Sequence, residues 1–212
     1  MLDLKPIPPQ FSFEEIAKIL QGHYNIDSLK LSDLGSYIDQ NILVSDLQGN
    51  QSVLKIHDGA EQKEVIQCQI DAAQLISQHQ SELQLPLTIT SLKGNEIETV
   101  LALSGQKHFV RLIRFVEGQM LKDLPQLSDE LLANVGKTVA GTDVALQDFY
   151  QAAANRPDIP WDLKNARQVS KLSRHIKCPA KRRVVDYFFM KYENEVEAIL
   201  FDTRKSVIHG DL

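Results

Sequence analysis

The hydrophobic period changes once along this chain, and that change limits the folds open to it. As far as Val116, apolar residues mostly alternate in short runs, while beyond Leu127 they recur at helical spacings of three and four. In the first part, "LKLSDL" precedes "QNILVSDLQGNQSVLKIHD", whose two alternating runs meet at Gly49 and Asn50 and read as a hairpin. Farther on, "LTITSLKGNEIETVLAL" carries Gly94 and Asn95 between two more runs, and "HFVRLIRFVEG" adds another before Gly118. Two helices join these strands. "SFEEIAKILQGHY" opens with a capping box, Ser12 with Glu15, and Gly22 reads as its stop. The stretch from Ala60 to His79 places Ile66, Ile70, Ala73 and Ser77 on one face before Pro86 breaks the pattern. Helices then follow at about Ser128 to Phe149, Asp162 to Ile176 and Ala180 to Phe201. Strands with an inserted helix, followed by a run of helices, predict an α+β fold of two lobes. The expected division is an antiparallel-sheet lobe over residues 1–113, a hinge over 114–118 and a helical lobe over 119–212.

Composition removes several classes of function. With 23 Lys and Arg against 28 Asp and Glu, the chain has no positive field to attract nucleic acid or anionic lipid. Only Cys68 and Cys178 occur, far apart, which predicts a reducing, cytoplasmic setting without a disulfide framework or zinc site. No stretch approaches the roughly 18 apolar residues of a membrane span. The six histidines form no ligand-like pair, and no G-x-S-x-G elbow is present. "VGKTVAG" at Val135 to Gly141 has Leu131 where a P-loop needs glycine, and it lies in a helix with Leu132, Val135, Val139 and Leu146 as its stripe. The basic run "KLSRHIKCPAKRR" has no aromatic platform and reads as a solvated face.

Lys55 interrupts the apolar strand "SVLKIHD", on the same face as Val53 and His57. Alone it reads as a charged edge-strand residue. Glu64, in the first turns of the next helix, offers it an ion-pair partner, and a strand Lys with a helix Glu is the phosphate-positioning unit of kinases. Between the first two strands, "LGSYIDQNILV" has a single glycine and no G-x-G-x-x-G. Ser36, Tyr37, Gln40 and Asn41 there can each donate hydrogen bonds, to phosphate or simply within a polar turn. Near the end, "VIHGDL" feeds His209 and Gly210 into Asp211.

In order, a strand Lys, a helix Glu, a hinge, a helical part and H-G-D-L match the parts of a kinase. The chain resembles the aminoglycoside phosphotransferase and choline kinase family, whose catalytic loop reads H-G-D-[LF]-x-x-x-N. Within that family "SYIDQN", "VLKI", "VRLIRFVEG" and "WDLKNA" are most similar to hydroxylysine kinase and to the phosphotransferase domain fused to class III aminotransferases. The resemblance implies a protein-kinase-like fold and transfer of a γ-phosphoryl group from ATP or GTP, with Mg²⁺, to a small hydroxylated amine or amino acid.

By the same resemblance, Lys55 holds the α and β phosphates and Glu64 orients it. Backbone at Arg114, Phe115 and Val116 binds the base, Asp211 accepts the substrate proton and His209 braces the loop. The family's metal-binding Asn and Asp fall past Leu212. The resemblance therefore implies an N-terminal fragment with an incomplete helical lobe, negligible activity of its own and a tendency to self-associate through exposed apolar surface. A noncatalytic nucleotide-binding or regulatory module of a larger enzyme is the alternative, and antibiotic modification a weaker one.

Overall fold

A computed structural model describes residues 8–156, 162–200 and 202–210. They fall into two compact units, one made of 8–150 with 207–210 and the other of the described residues between 151 and 206.

The first unit is built on a six-stranded antiparallel sheet: β1 (Ser28–Asp33), β2 (Gln40–Asp46), β3 (Gln51–Ile56), β4 (Thr88–Ile89), β5 (Glu98–Leu101) and β6 (Lys107–Arg114). The order is β1-β2-β3-β6-β4, and β5 pairs with another stretch of β6. The β2–β3 hairpin turns where its sequence indicated. Gly49 takes φ 87°, and the Asp46 carboxylate accepts the amides of Gln48 and Asn50 at 2.9 and 2.8 Å. β3 is therefore a central strand between β2 and β6, so Lys55 is not an edge-strand device.

Strand alternation sends Ile42, Val44, Leu54, Ile56, Val110 and Leu112 to one face of the sheet. There they pack with Ile16, Ile19, Leu20 and Tyr24 of α1 (Phe13–Tyr24). The capping box of α1 forms as expected, with the Glu15 amide donating to Ser12 Oγ at 3.3 Å and the Ser12 amide to Glu15 Oε2 at 2.8 Å. The helix nevertheless runs through Gly22. It ends at Asn25, whose φ of 54° is left-handed and whose amide returns to the Gln21 carbonyl at 3.2 Å.

The opposite face receives α2 (Lys63–His79), whose Ile66 and Ile70 pack with Ile97 and Phe109. Ile76, near the end of α2, joins Ala145 and Leu146 at the end of α3 (Asp129–Ala145). Val207 packs into the same cluster and so anchors the approach to His209. Along α3, Val135 and Val139 are half-buried and Thr142, Ala145 and Leu146 buried, as the stripe predicts, whereas Leu132 is exposed and Leu131 is half-buried in its place. The segment Val135 to Gly141 is helical, which rules out a P-loop.

In the second unit, the single helix expected from Asp162 to Ile176 is broken. A 3₁₀ turn (Leu163–Asn165) leads into α4 (Ala166–Ser170), and a further 3₁₀ turn spans Ser173–His175. Ser170 Oγ bonds back to the Arg167 carbonyl at 2.9 Å, which competes with helical pairing. Beyond it, Pro179 holds Cys178 extended and starts α5 (Pro179–Lys191) at its first turn. Arg182 then donates to the carbonyls of Arg174 and Ile176, at 3.0 and 2.6 Å, which the break leaves unpaired. α5 passes into a π-helical turn, Tyr192–Val196, so the helix expected to reach Phe201 stops earlier; Phe201 lies outside the described residues.

Candidate active site

Antiparallel pairing sets three polar side chains in one row across the sheet. Asn41 of β2 stands opposite Lys55 of β3, and Lys55 stands opposite Arg111 of β6. Because alternation commits Leu54 and Ile56 to the α1 face, this row and His57 belong to the face toward α2. Two cations thus meet as direct cross-strand neighbours, an arrangement that is destabilising unless an anion lies between them.

One such anion is Asp39, from the loop between β1 and β2. Its Oδ2 lies 3.0 Å from Lys55 Nζ and 3.5 Å from His57 Nδ1, and its Oδ1 accepts the Asp58 amide at 3.1 Å. The carboxylate is only 14% exposed and the Lys55 side chain 25%. Burial by itself would raise the Asp39 carboxyl, but the His57 hydrogen bond and the Lys55 charge outweigh it and hold the group well below the usual carboxylate range. Burial also pushes the His57 imidazole below its ordinary value, against the pull of Asp39. A neutral ring facing a carboxylate carries its proton on Nδ1 and donates it there. Burial likewise lowers Arg111, which Asp39 partly offsets, and its Nη2 donates to Gln69 Oε1 of α2 at 2.8 Å.

Asn41 Oδ1, His57 Nε2 and Arg111 Nε are buried without a hydrogen-bond partner among the described residues. Orphaned polar atoms are costly in a native fold, and three on one face mark a place suited to a polar ligand.

The residues singled out by sequence do not all gather here. Glu64 is exposed near the start of α2, and the carboxylate that Lys55 meets is that of Asp39. Gln40 holds the chain leading into α1: its Oε1 accepts the Phe11 amide at 2.8 Å and its Nε2 donates to the Phe11 carbonyl at 2.9 Å. Ser36 Oγ accepts the Asp39 amide at 3.2 Å and so shapes the loop that presents the carboxylate, while Tyr37 is exposed. At the end of β6, the amides of Arg114 and Phe115 donate to the carbonyls of Leu87 and Gln51 at 2.9 and 3.4 Å; Val116 follows outside any strand. His209 is exposed, followed by Gly210 at φ 79°. Asp211 and Trp161 lie outside the described residues.

Three residues of the constellation went unassigned in the sequence: Asp39, His57 and Arg111. Each sits in a stretch that carries a candidate residue, and alternation alone puts His57 on the Lys55 face. Among the described residues, no group of three or more His, Cys, Asp or Glu side chains could hold a metal ion.

Residues 30–212 match the family described as "Phosphotransferase enzyme family". The hydroxylysine kinases of Bos taurus and Danio rerio are each 22% identical to this chain, over 96% and 99% of its length. The chain spans 57% and 61% of those two relatives. Among solved structures, an amicoumacin kinase in complex with AMP-PNP, Ca²⁺ and Ami superposes with a TM-score of 0.64 at 12% identity, covering 92% of this chain and 55% of that one. A microcompartment-associated aminopropanol kinase gives 0.53 at 21% identity, covering 71% and 45%. These likenesses show the fold, which is α+β and protein-kinase-like.

Proposed function

The chain belongs to the phosphotransferase enzyme family, and we propose that the protein carrying it transfers the γ-phosphoryl group of ATP or GTP to the hydroxyl of a small amino alcohol such as hydroxylysine. The acceptor class is supported by the two hydroxylysine kinases that align along nearly the whole chain. The observation that carries the nucleotide part is the pair Lys55 and Arg111, cross-strand neighbours of which Lys55 meets the Asp39 carboxylate at 3.0 Å. Two cations facing one anion leave a positive surplus on a largely buried surface, and a phosphate oxygen is the species that removes it.

In this arrangement Lys55 bonds the α and β phosphates, and Arg111 adds a second cation beside it. Asn41 is next in the same row, and the Ser36–Tyr37 segment lies in the loop that carries Asp39. The base is read by backbone in the 114–118 hinge, where the Arg114 and Phe115 amides are already engaged and Val116 is the donor we assign. His209 braces the loop, and Asp211 takes the acceptor's proton. Transfer proceeds through a loose, anionic transition state, so the contribution of Lys55 and Arg111 is positioning and charge stabilisation. Mg²⁺ is the cation we expect to accompany the nucleotide.

The test is nucleotide consumption by the full-length protein with ATP or GTP and each of hydroxylysine, aminopropanol, ethanolamine and an aminoglycoside panel. Hydroxylysine-dependent turnover that Lys55→Met abolishes is the expected result. Nucleotide binding with no turnover on any acceptor would replace this proposal with a noncatalytic nucleotide-binding module.

A further inference from the structure

We propose that Asp39, fixed by His57 and the Asp58 amide, is the positioning residue for Lys55, so the lysine is oriented by the β1–β2 loop rather than by a carboxylate of α2. The inference deepens the proposed nucleotide role of Lys55 and rests on it for its functional consequence.

Geometry separates a positioning carboxylate from one that merely occupies the lysine until phosphate arrives. A placeholder would be held by Lys55 alone and would leave with it. Asp39 is engaged at both oxygens by groups other than Lys55: Oδ1 accepts the Asp58 amide at 3.1 Å, and Oδ2, 3.0 Å from Lys55 Nζ, also lies 3.5 Å from His57 Nδ1. Those anchors come from the end of β3 itself. His57 and Asp58 directly follow the strand that carries Lys55, and the His57 amide extends the β3–β6 ladder by donating to the Phe109 carbonyl at 2.9 Å. The His57 ring is itself 98% buried, so the carboxylate rests on a rigid support. Ser36 Oγ, accepting the Asp39 amide at 3.2 Å, fixes the backbone from the loop side.

The consequence concerns which element controls the lysine. A charge-assisted bond to an anchored carboxylate restricts the four-carbon stem of Lys55 before any nucleotide binds. Because Asp39 and the candidate phosphate-contacting residues Ser36 and Tyr37 share one loop, the loop's conformation sets the lysine and the phosphate contacts together. α2 contributes apolar packing through Ile66 and Ile70 and holds Arg111 through Gln69. Glu64 is exposed, and the carboxylate beside Lys55 is that of Asp39.

Competitive amine labelling of the full-length protein with acetic anhydride, read residue by residue by mass spectrometry, tests this directly. Lys30 and Lys107 serve as internal references. Without nucleotide, Asp39→Asn should raise the labelling rate of Lys55 by about fivefold or more, the effect of releasing a charge-assisted hydrogen bond, and leave the references unchanged. Glu64→Gln should leave Lys55 unchanged. An unchanged rate in Asp39→Asn, or a rise in Glu64→Gln of equal size, overturns the inference. A rise at every lysine would reveal unfolding of that variant; the milder His57→Gln, which loosens the anchor, then decides, and no rise at Lys55 there also overturns it. Adding ATP or GTP to the wild-type protein addresses the underlying nucleotide role separately. If Lys55 is not protected by either nucleotide while the Asp39→Asn effect stands, the phosphate role fails and the positioning geometry survives.

Discussion

Lys55 and Arg111 are direct partners in the antiparallel register of β3 and β6, two positive side chains opposed across a central strand pair. Such a pair weakens a sheet, and burial adds to the cost. Asp39 compensates one charge only. The arrangement is therefore poor for stability in the empty protein and well suited to an anionic ligand, as expected where stability and binding compete.

Arg111→Met should follow from this. The variant keeps a side chain of similar length, removes the like-charge opposition and frees Gln69, which is exposed and can turn to water. In the absence of nucleotide, its urea unfolding free energy is expected to equal or exceed that of the wild type by up to about 1 kcal/mol. Its affinity for a fluorescent ATP or GTP analogue should fall about tenfold. Loss of stability without loss of affinity would mean that Arg111 serves the fold.

His57 predicts a pH dependence of stability. Burial lowers its folded-state value, so the unfolded chain binds the proton more readily and protonation favours unfolding. The stabilising contribution is complete above the unfolded value of about 6.5 and is lost as pH falls through the lowered folded value. Urea midpoints of wild type and His57→Gln, compared between pH 8 and 5, should converge toward the acid side. A constant difference across that range would contradict the assignment.

Asp39 gives a second, lower window. Its folded value is depressed, so its contribution is fully present above the unfolded carboxylate value of about 4 and is lost only as pH falls below that. Asp39→Asn should cost roughly 2 kcal/mol at pH 7, from a buried pair left without its anion. That deficit should shrink when the wild type is titrated from pH 4 toward 2, which chemical denaturation at each pH would show.

Gln40 predicts a stability effect without a direct catalytic one. Its amide joins both backbone groups of Phe11, whose side chain is buried against the core on the α1 face. Gln40→Ala is expected to lower the unfolding free energy by about 1–3 kcal/mol, through two lost hydrogen bonds at a partly buried site. Nucleotide affinity should stay within twofold. A large loss of affinity with unchanged stability would instead place Gln40 at the phosphates.

Core packing supplies a contrast that checks the sheet assignment. Leu54 is fully buried and Leu103 is 92% exposed. Leu54→Ala should cost roughly 2–5 kcal/mol and Leu103→Ala less than about 0.5 kcal/mol in equilibrium unfolding. Similar costs at the two sites would mean that β3 is turned over relative to the structure described.

The parts of this protein governed by short-range geometry were legible in the sequence. Alternation put Lys55 and His57 on one face of a strand, Gly49 and Asn50 marked the turn before it, and Ser12 with Glu15 marked the start of α1. The change of period separated strand-rich from helical sequence. In each case the signal lies within one element, because side-chain period, left-handed turns and helix caps are set by backbone torsions over a few residues.

Which elements become neighbours was decided only in the tertiary structure. The sequence offered Glu64 to Lys55 because it opens the next helix, yet the partner is Asp39, brought in by a loop and fixed by His57 and the Asp58 amide. Nothing local to "VRLIRF" says that Arg111 will stand opposite Lys55, since that follows from β6 pairing with β3 across more than fifty residues, in one register. Gln40 read as a loop donor because its Phe11 partner lies 29 residues away. Strand order and register emerge from burying both faces of the sheet at once, a property of the assembled chain that no single segment encodes.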